Sequence, residues 1–210
     1  DQTPPGPHDV YNVPGALHVA GPLQTGQVPT DSMSVLADLN VTGDLTVDGN
    51  IPGVSKTLYN SVTAIGNVGT GEDTLMTYTL PGGTLGTDTG AIRVTVIGRL
   101  VGNANTKTVK FKFGATSITI FTNQSTSNAF EWFASLLVTR TGAAAQTIDG
   151  WLLIYNAATG SRAGTRPLTT GTINTAAETL SGDVIVRLTG EATATNDVTQ
   201  SQMLVELLQV

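Results

Sequence analysis

A chain of 210 residues has room for one large domain or for a compact domain with an appendage. Charged residues make up only 12% of it, and the net charge of −6 arises from few groups of either sign, so the broad basic field that grips nucleic acid is excluded. The absence of cysteine excludes disulfides, thiolate metal sites and cysteine nucleophiles.

Residues 1–38 hold six of the nine prolines, and Pro4-Pro5-Gly6-Pro7, Val13-Pro14-Gly15 and Val28-Pro29-Thr30 each interrupt regular pairing. This composition predicts an extended arm. Its profile lacks the basic-then-apolar order of a secretion signal, and no apolar run in the chain is long enough to span a membrane.

An internal repeat follows. Leu39-Asn40-Val41-Thr42-Gly43-Asp44 returns at once as Leu45-Thr46-Val47-Asp48-Gly49-Asn50 and fades at Ile51-Pro52-Gly53. The period of two sends Leu39, Val41, Leu45, Val47 and Ile51 to one face, and glycine at every sixth position permits a corner with positive φ. Two hexapeptides cannot close a solenoid core, so other chains are the natural source of the missing coils. The expectation is a short trimeric β-stem over residues 39–55, with Leu39, Val41, Leu45, Val47 and Ile51 as the oligomerisation residues. The competing reading is a β-hairpin turning at Val47-Asp48-Gly49-Asn50-Ile51.

Residues 56–210 read as strands separated by turns. Candidate strands are 75–80, 91–101, 108–113, 116–121, 129–139, 147–155, 183–189 and 203–210. Alternation is clean in Ile92-x-Val94-x-Val96, Val109-x-Phe111-x-Phe113 and Ile118-x-Ile120, the mark of sheets with one buried face. Trp151-Leu152-Leu153-Ile154-Tyr155 and Leu204-Val205-Glu206-Leu207-Leu208 are apolar on both sides, which predicts a central position or burial at a subunit contact. Turn residues stand at Pro81-Gly82-Gly83, Gly102-Asn103-Ala104-Asn105, Thr141-Gly142, Asp149-Gly150 and Thr195-Asn196-Asp197. Helix signals are nearly absent, so the fold class is all-β: an antiparallel jelly-roll β-sandwich behind an arm and a stem.

The inventory for chemistry is thin. His8 and His18, the only histidines, both lie in the arm, so a Ser-His-Asp triad within the sandwich is ruled out. Gly66-Asn67-Val68-Gly69-Thr70-Gly71 resembles a phosphate loop, but no helix pattern or lysine follows it, and it reads as a flexible loop. Asp38, Asp44 and Asp48 offer oxygen ligands without the spacing of a calcium loop. Glu72, Asp73, Glu131, Asp149, Glu178, Asp183 and Glu191 do not converge in sequence as glycosidase acids must in space. Arg162 and Arg166 read as exposed loop charges. Trp132, Trp151, Tyr59, Tyr78 and Tyr155 sit mostly at strand positions, where burial is expected. No catalytic residue, cofactor or metal is assigned, and the chain reads as a non-enzyme.

The tract from Asp38 to Ile51 resembles the short repeats that introduce trimeric tips in tailed-bacteriophage fibres. The stretch from Leu58 onward, with Asn105-Thr106-Lys107-Thr108-Val109-Lys110-Phe111-Lys112-Phe113-Gly114 and Ala192-Thr193-Ala194-Thr195-Asn196-Asp197-Val198-Thr199, resembles jelly-roll domains of phage virion proteins. The resemblance implies a homotrimer carried on a virion and assembled in the host cytoplasm. Its implied partner is the major capsid protein or another virion protein, and neither nucleic acid nor membrane is engaged. The implied function is capsid decoration through the N-terminal arm. The alternatives are a short tail fibre recognising a host surface glycan and, last, a polysaccharide depolymerase.

Overall fold

The computed structural model describes residues 55–86, 90–122, 128–167 and 174–208, excepting the side chains of 162–167. All of these fall in one compact unit, Val47–Val210. The arm and nearly all of the expected stem, including Leu39, Val41, Leu45, Val47 and Ile51, lie outside the described residues, as do His8, His18, Asp38, Asp44 and Asp48.

Twelve strands are described: β1 (Ser55–Ser61), β2 (Ile65–Gly66), β3 (Gly71–Leu80), β4 (Ala91–Leu100), β5 (Thr108–Phe113), β6 (Thr116–Thr122), β7 (Phe130–Gly142), β8 (Ala145–Asn156), β9 (Arg162–Pro167), β10 (Asn174–Ala176), β11 (Val184–Ala192) and β12 (Val198–Leu208). They form two antiparallel sheets. The larger runs β1-β12-β4-β7-β8-β10, with β2 beside β1 on the edge of β12 and β9 beside β10 on the edge of β8. The smaller runs β3-β11-β5-β6. The all-β sandwich expected from the alternation is what the chain forms, with no helix among the described residues.

The alternating residues meet between the sheets. Ile92, Val94 and Val96 of β4, Trp132, Ala134, Leu136 and Val138 of β7, and Met203 and Val205 of β12 face Val109, Phe111 and Phe113 of β5 and Val186 and Leu188 of β11. These side chains belong to one core, so each strand's inward half is removed from water at roughly 25 cal/mol per Å² of apolar surface. Trp132 is the largest member, and its ring meets Phe121 edge-on at a centroid distance of 6.1 Å. Gly98 makes room for it: a Cβ there would overlap the indole and the Thr199 carbonyl.

All eight expected strands are present, most of them longer than their patterns indicated. Asp149-Gly150 is a correction, because it lies inside β8, with Asp149 opposite Leu137 and Gly150 opposite Leu136. The Asp149 carboxylate accepts the Gly150 amide at 2.7 Å, a local turn-like bond made without leaving the strand. Arg162 and Arg166 are likewise on a strand, β9, whose backbone pairs with β8. The Gly66–Gly71 stretch is not a free loop either, since fully buried Asn67 anchors it.

Candidate functional site

The outward face of the large sheet holds a shallow groove of about 620 Å³, lined by Ile97, Gly98, Arg99, Val101, Glu131, Thr199 and Ser201. One local irregularity accompanies it. Between Gln200 and Gln202 the β12–β4 register slips by one residue, a bulge of the kind that re-aims side chains. Ser201 is thereby turned outward, and its hydroxyl donates to the Ile97 carbonyl at 3.2 Å. Gln200 is turned into the core, where its Oε1 accepts the Met76 amide at 3.0 Å and its Nε2 donates to the Gln202 carbonyl at 3.2 Å. Opposite charges stand side by side on the groove wall, for Arg99 of β4 is paired in register with Glu131 of β7, and Glu131 with Tyr155 of β8.

Below the groove the same face mixes apolar and polar side chains. Ile97, Phe133 and Leu153 form one row across β4, β7 and β8. The next row is Thr95, Ser135 and Trp151, with Leu204 of β12 opposite Thr95. The indole-bearing residue Trp151 is 59% exposed and Leu137, one row further, 39%. Arg93, which faces Leu137 in register, lies 3.9 Å from Glu206. Both strands that read as apolar on two sides are indeed flanked on both edges, β8 by β7 and by β9 and β10, and β12 by β4 and by β1 and β2. Pairing covers their backbones but not the outward side chains. Trp151 thus departs from the expected burial, while Trp132 is buried and Tyr59 and Tyr78 are half-buried and stacked at 5.3 Å.

Charge elsewhere is committed to holding the fold. Lys107 is 0% exposed, and its ammonium donates to Asn103 Oδ1 at 2.6 Å, to the Asn105 carbonyl at 2.8 Å and to the Asn103 carbonyl at 3.5 Å. The same asparagines donate their side-chain amides to the Asp197 carboxylate at 2.6 and 2.7 Å. Burial pushes the Lys107 ammonium below its ordinary range, against the pull of the Asp197 charge. Burial alone would raise the Asp197 carboxyl, yet donation from Asn105 and Asn103, the Ala194 amide and the Lys107 charge together hold it below its ordinary value. Beside them Asn67 donates to the carbonyls of Gly69 and Ala194 and accepts the Val198 amide at 2.9 Å. Three loops at one end of the sandwich are fastened by this set.

On the outer face of the small sheet, Glu72 receives Lys110 at 2.5 Å and also Lys112, and Glu191 lies 3.6 Å from Lys110. Bonds from Lys110 first and Lys112 second lower the Glu72 carboxyl from 4.5 to about 2, and Lys110 is raised in return. Three more of the acids named from sequence accept backbone amides: Asp73 takes the Val68 amide at 2.7 Å, Glu178 the Ala115 amide at 2.7 Å and Asp183 the Gly82 amide at 2.9 Å. Glu131 is the one of them on the groove wall. Sequence reading missed the groove, because a bulge leaves no mark in a pattern of alternation.

No protein-family model matches the sequence, and none of the curated proteins does. Among solved structures, a similarity is found to the CBM2 module of Lactobacillus casei BL23 phage J-1 evolved Dit. Its TM-score is 0.34 at 9% identity, over 76% of this chain and 99% of that one, and it carries no argument about function.

Proposed function

We propose that the chain is a non-enzymatic structural protein of a tailed-phage virion, a homotrimer that decorates the capsid and is anchored through its N-terminal arm. The observation carrying the structural role is the outward-facing row of Ile97, Phe133 and Leu153, with Trp151 59% exposed next to Leu153 on the same strand face. Apolar side chains turned outward on a sheet, interleaved with polar ones, suit packing against protein. The charged clusters are engaged with one another and with the backbone, which suits a module that resists mechanical load. The strand order supports a jelly roll as well: β1-β12-β4-β7 stacked on β3-β11-β5-β6 interleaves eight strands in two Greek keys, with β2, β8, β9 and β10 added to one sheet. The virion setting rests on the sequence resemblance.

A second reading has its own observation. Arg99, Glu131, Thr199 and Ser201 line one groove, with Tyr155 on the neighbouring strand, and such a mix of hydrogen-bonding groups and an aromatic ring suits a host saccharide. Co-sedimentation with empty capsids, run in parallel with a glycan array, decides between the two. Capsid binding without glycan binding is expected; glycan binding without capsid binding would overturn decoration in favour of a receptor-binding fibre.

A further inference from the structure

At the loop end of the sandwich the Lys107 ammonium is fully buried, yet among the described residues no carboxylate pairs with it directly. Asp197 is the acid nearby, and its two oxygens are taken up by the side-chain amides of Asn103 and Asn105. Two buried charges that do not touch are costly, so burial favours any local reaction that neutralises both.

The groups around Lys107 Nζ are those that such a reaction needs. Asn103 Oδ1 lies 2.6 Å away, which sets Nζ beside the carboxamide carbon. The backbone carbonyls of Asn105 and Asn103, at 2.8 and 3.5 Å, are placed to hold two of its hydrogens, leaving the third direction to the carboxamide. That carboxamide is engaged at both ends. Its Oδ1 accepts the Asn105 backbone amide at 3.0 Å, as a developing oxyanion would, and its Nδ2 donates to Asp197 Oδ1 at 2.6 Å, where a leaving nitrogen meets a proton carrier. Asn105 Nδ2 fixes the other oxygen of Asp197 at 2.7 Å. Nucleophile, carbonyl, oxyanion donor and proton carrier are thus assembled in advance and away from bulk water.

From this arrangement we infer that Lys107 and Asn103 become joined by an intramolecular amide bond, Nζ to Cγ, made by the chain's own residues. The carboxamide bridges the ammonium to the carboxylate, accepting from the one and donating to the other, and a proton passes along it to Asp197. Burial favours the neutral amine that results. Its lone pair attacks Asn103 Cγ, and the carbonyl electrons move onto Oδ1, under the Asn105 amide. Nζ and Nδ2 then share one carbon, so the acid at Nδ2 reaches both and shuttles protons from the first to the second. The Cγ–Nδ2 bond breaks and Nδ2 leaves as ammonia. Of the hydrogens first held by the two nitrogens, one stays on Nζ, three leave with Nδ2 and one ends on Asp197; nothing is oxidised or reduced. The product keeps an Nζ–H for the Asn105 carbonyl and Oδ1 for the Asn105 amide, so the loops stay fastened. Asp197, with the Asn103 donor and the Lys107 charge gone, is left to burial, which raises its carboxyl and retains the proton.

The inference is independent of where on a particle the chain sits. Its test is the intact mass of the purified full chain, measured in denaturant. The chain is expected to be lighter than its sequence by one ammonia. Trypsin should fail to cut after Lys107 and release residues 100–110 as one peptide with the same deficit. Lys107→Arg and Asn103→Ala should each show the full mass of their sequences. Asp197→Ala, or Asp197→Asn should the first not fold, should form the bond at least tenfold more slowly. A parent chain of full mass would overturn the inference whatever the variants do. So would a lost ammonia with normal cleavage after Lys107, the mark of an asparagine closing on its own backbone.

Discussion

Lys107→Met isolates the cost of breaking the buried network at the loop end of the sandwich. The substitution keeps most of the volume and removes the ammonium, leaving Asn103 Oδ1 and the Asn105 carbonyl without the donor they hold at 2.6 and 2.8 Å. The Asn105 carbonyl, left without this donor, costs about 1–3 kcal/mol; Asn103 Oδ1 keeps the Asn105 amide at 3.0 Å, and Asp197 loses the charge that balances it. Relief of the buried ammonium's own desolvation offsets part of this, so the net expected loss is about 3 kcal/mol. For a domain of this size that is a fall in Tm of about 6–12 °C, read by calorimetry at pH 7. Hydrogen exchange should quicken first at Val101 and Ala194, whose amides bond to the Asp197 carbonyl at 3.0 Å and its carboxylate at 3.3 Å. In a double-mutant cycle, Asp197→Ala should add about 1 kcal/mol less on the Lys107→Met background than on the parent. A Tm within about 2 °C of the parent, or strict additivity, would refute the claim that this network fastens the loops.

Other positions give independent tests. The Glu72 carboxyl is depressed in the folded chain, so its contribution is complete above about pH 4.5 and is lost as pH falls towards 2. Because the cluster is partly exposed, solvent screening reduces this to about 1 kcal/mol; in urea titrations Glu72→Gln should be less stable than the parent at pH 7, and the difference should shrink as pH falls towards 2 and in 1 M salt. Gly98→Ala forces a Cβ into the Trp132 ring and the Thr199 carbonyl and should cost about 2–3 kcal/mol in chemical unfolding. Asn196 holds φ at 62°, a left-handed conformation that β-branched residues resist, so Asn196→Val should cost about 2 kcal/mol and Asn196→Gly almost nothing.

What the sequence made legible follows from how local each feature is. Ile92-x-Val94-x-Val96 and Val109-x-Phe111-x-Phe113 declare both strand and buried face, because side-chain alternation is a property of the strand itself. β1, β2, β9 and β10 escaped notice because they are edge additions, their register set by β12 and β8 rather than by a pattern of their own. Asn67, Lys107 and Asp197 look like loop residues in the sequence, yet all three are buried, through partners as far as 131 residues away. Trp151 shows the same limit from the other side. Its strand was readable as apolar on both faces, but only the sheet order shows which face the second sheet covers and which stays open.

Immunogold labelling of purified phage particles tests the central claim most directly. The account predicts label distributed over the head, in register with the capsid lattice. Label confined to the tail tip, or particles that carry none of the protein, would contradict it.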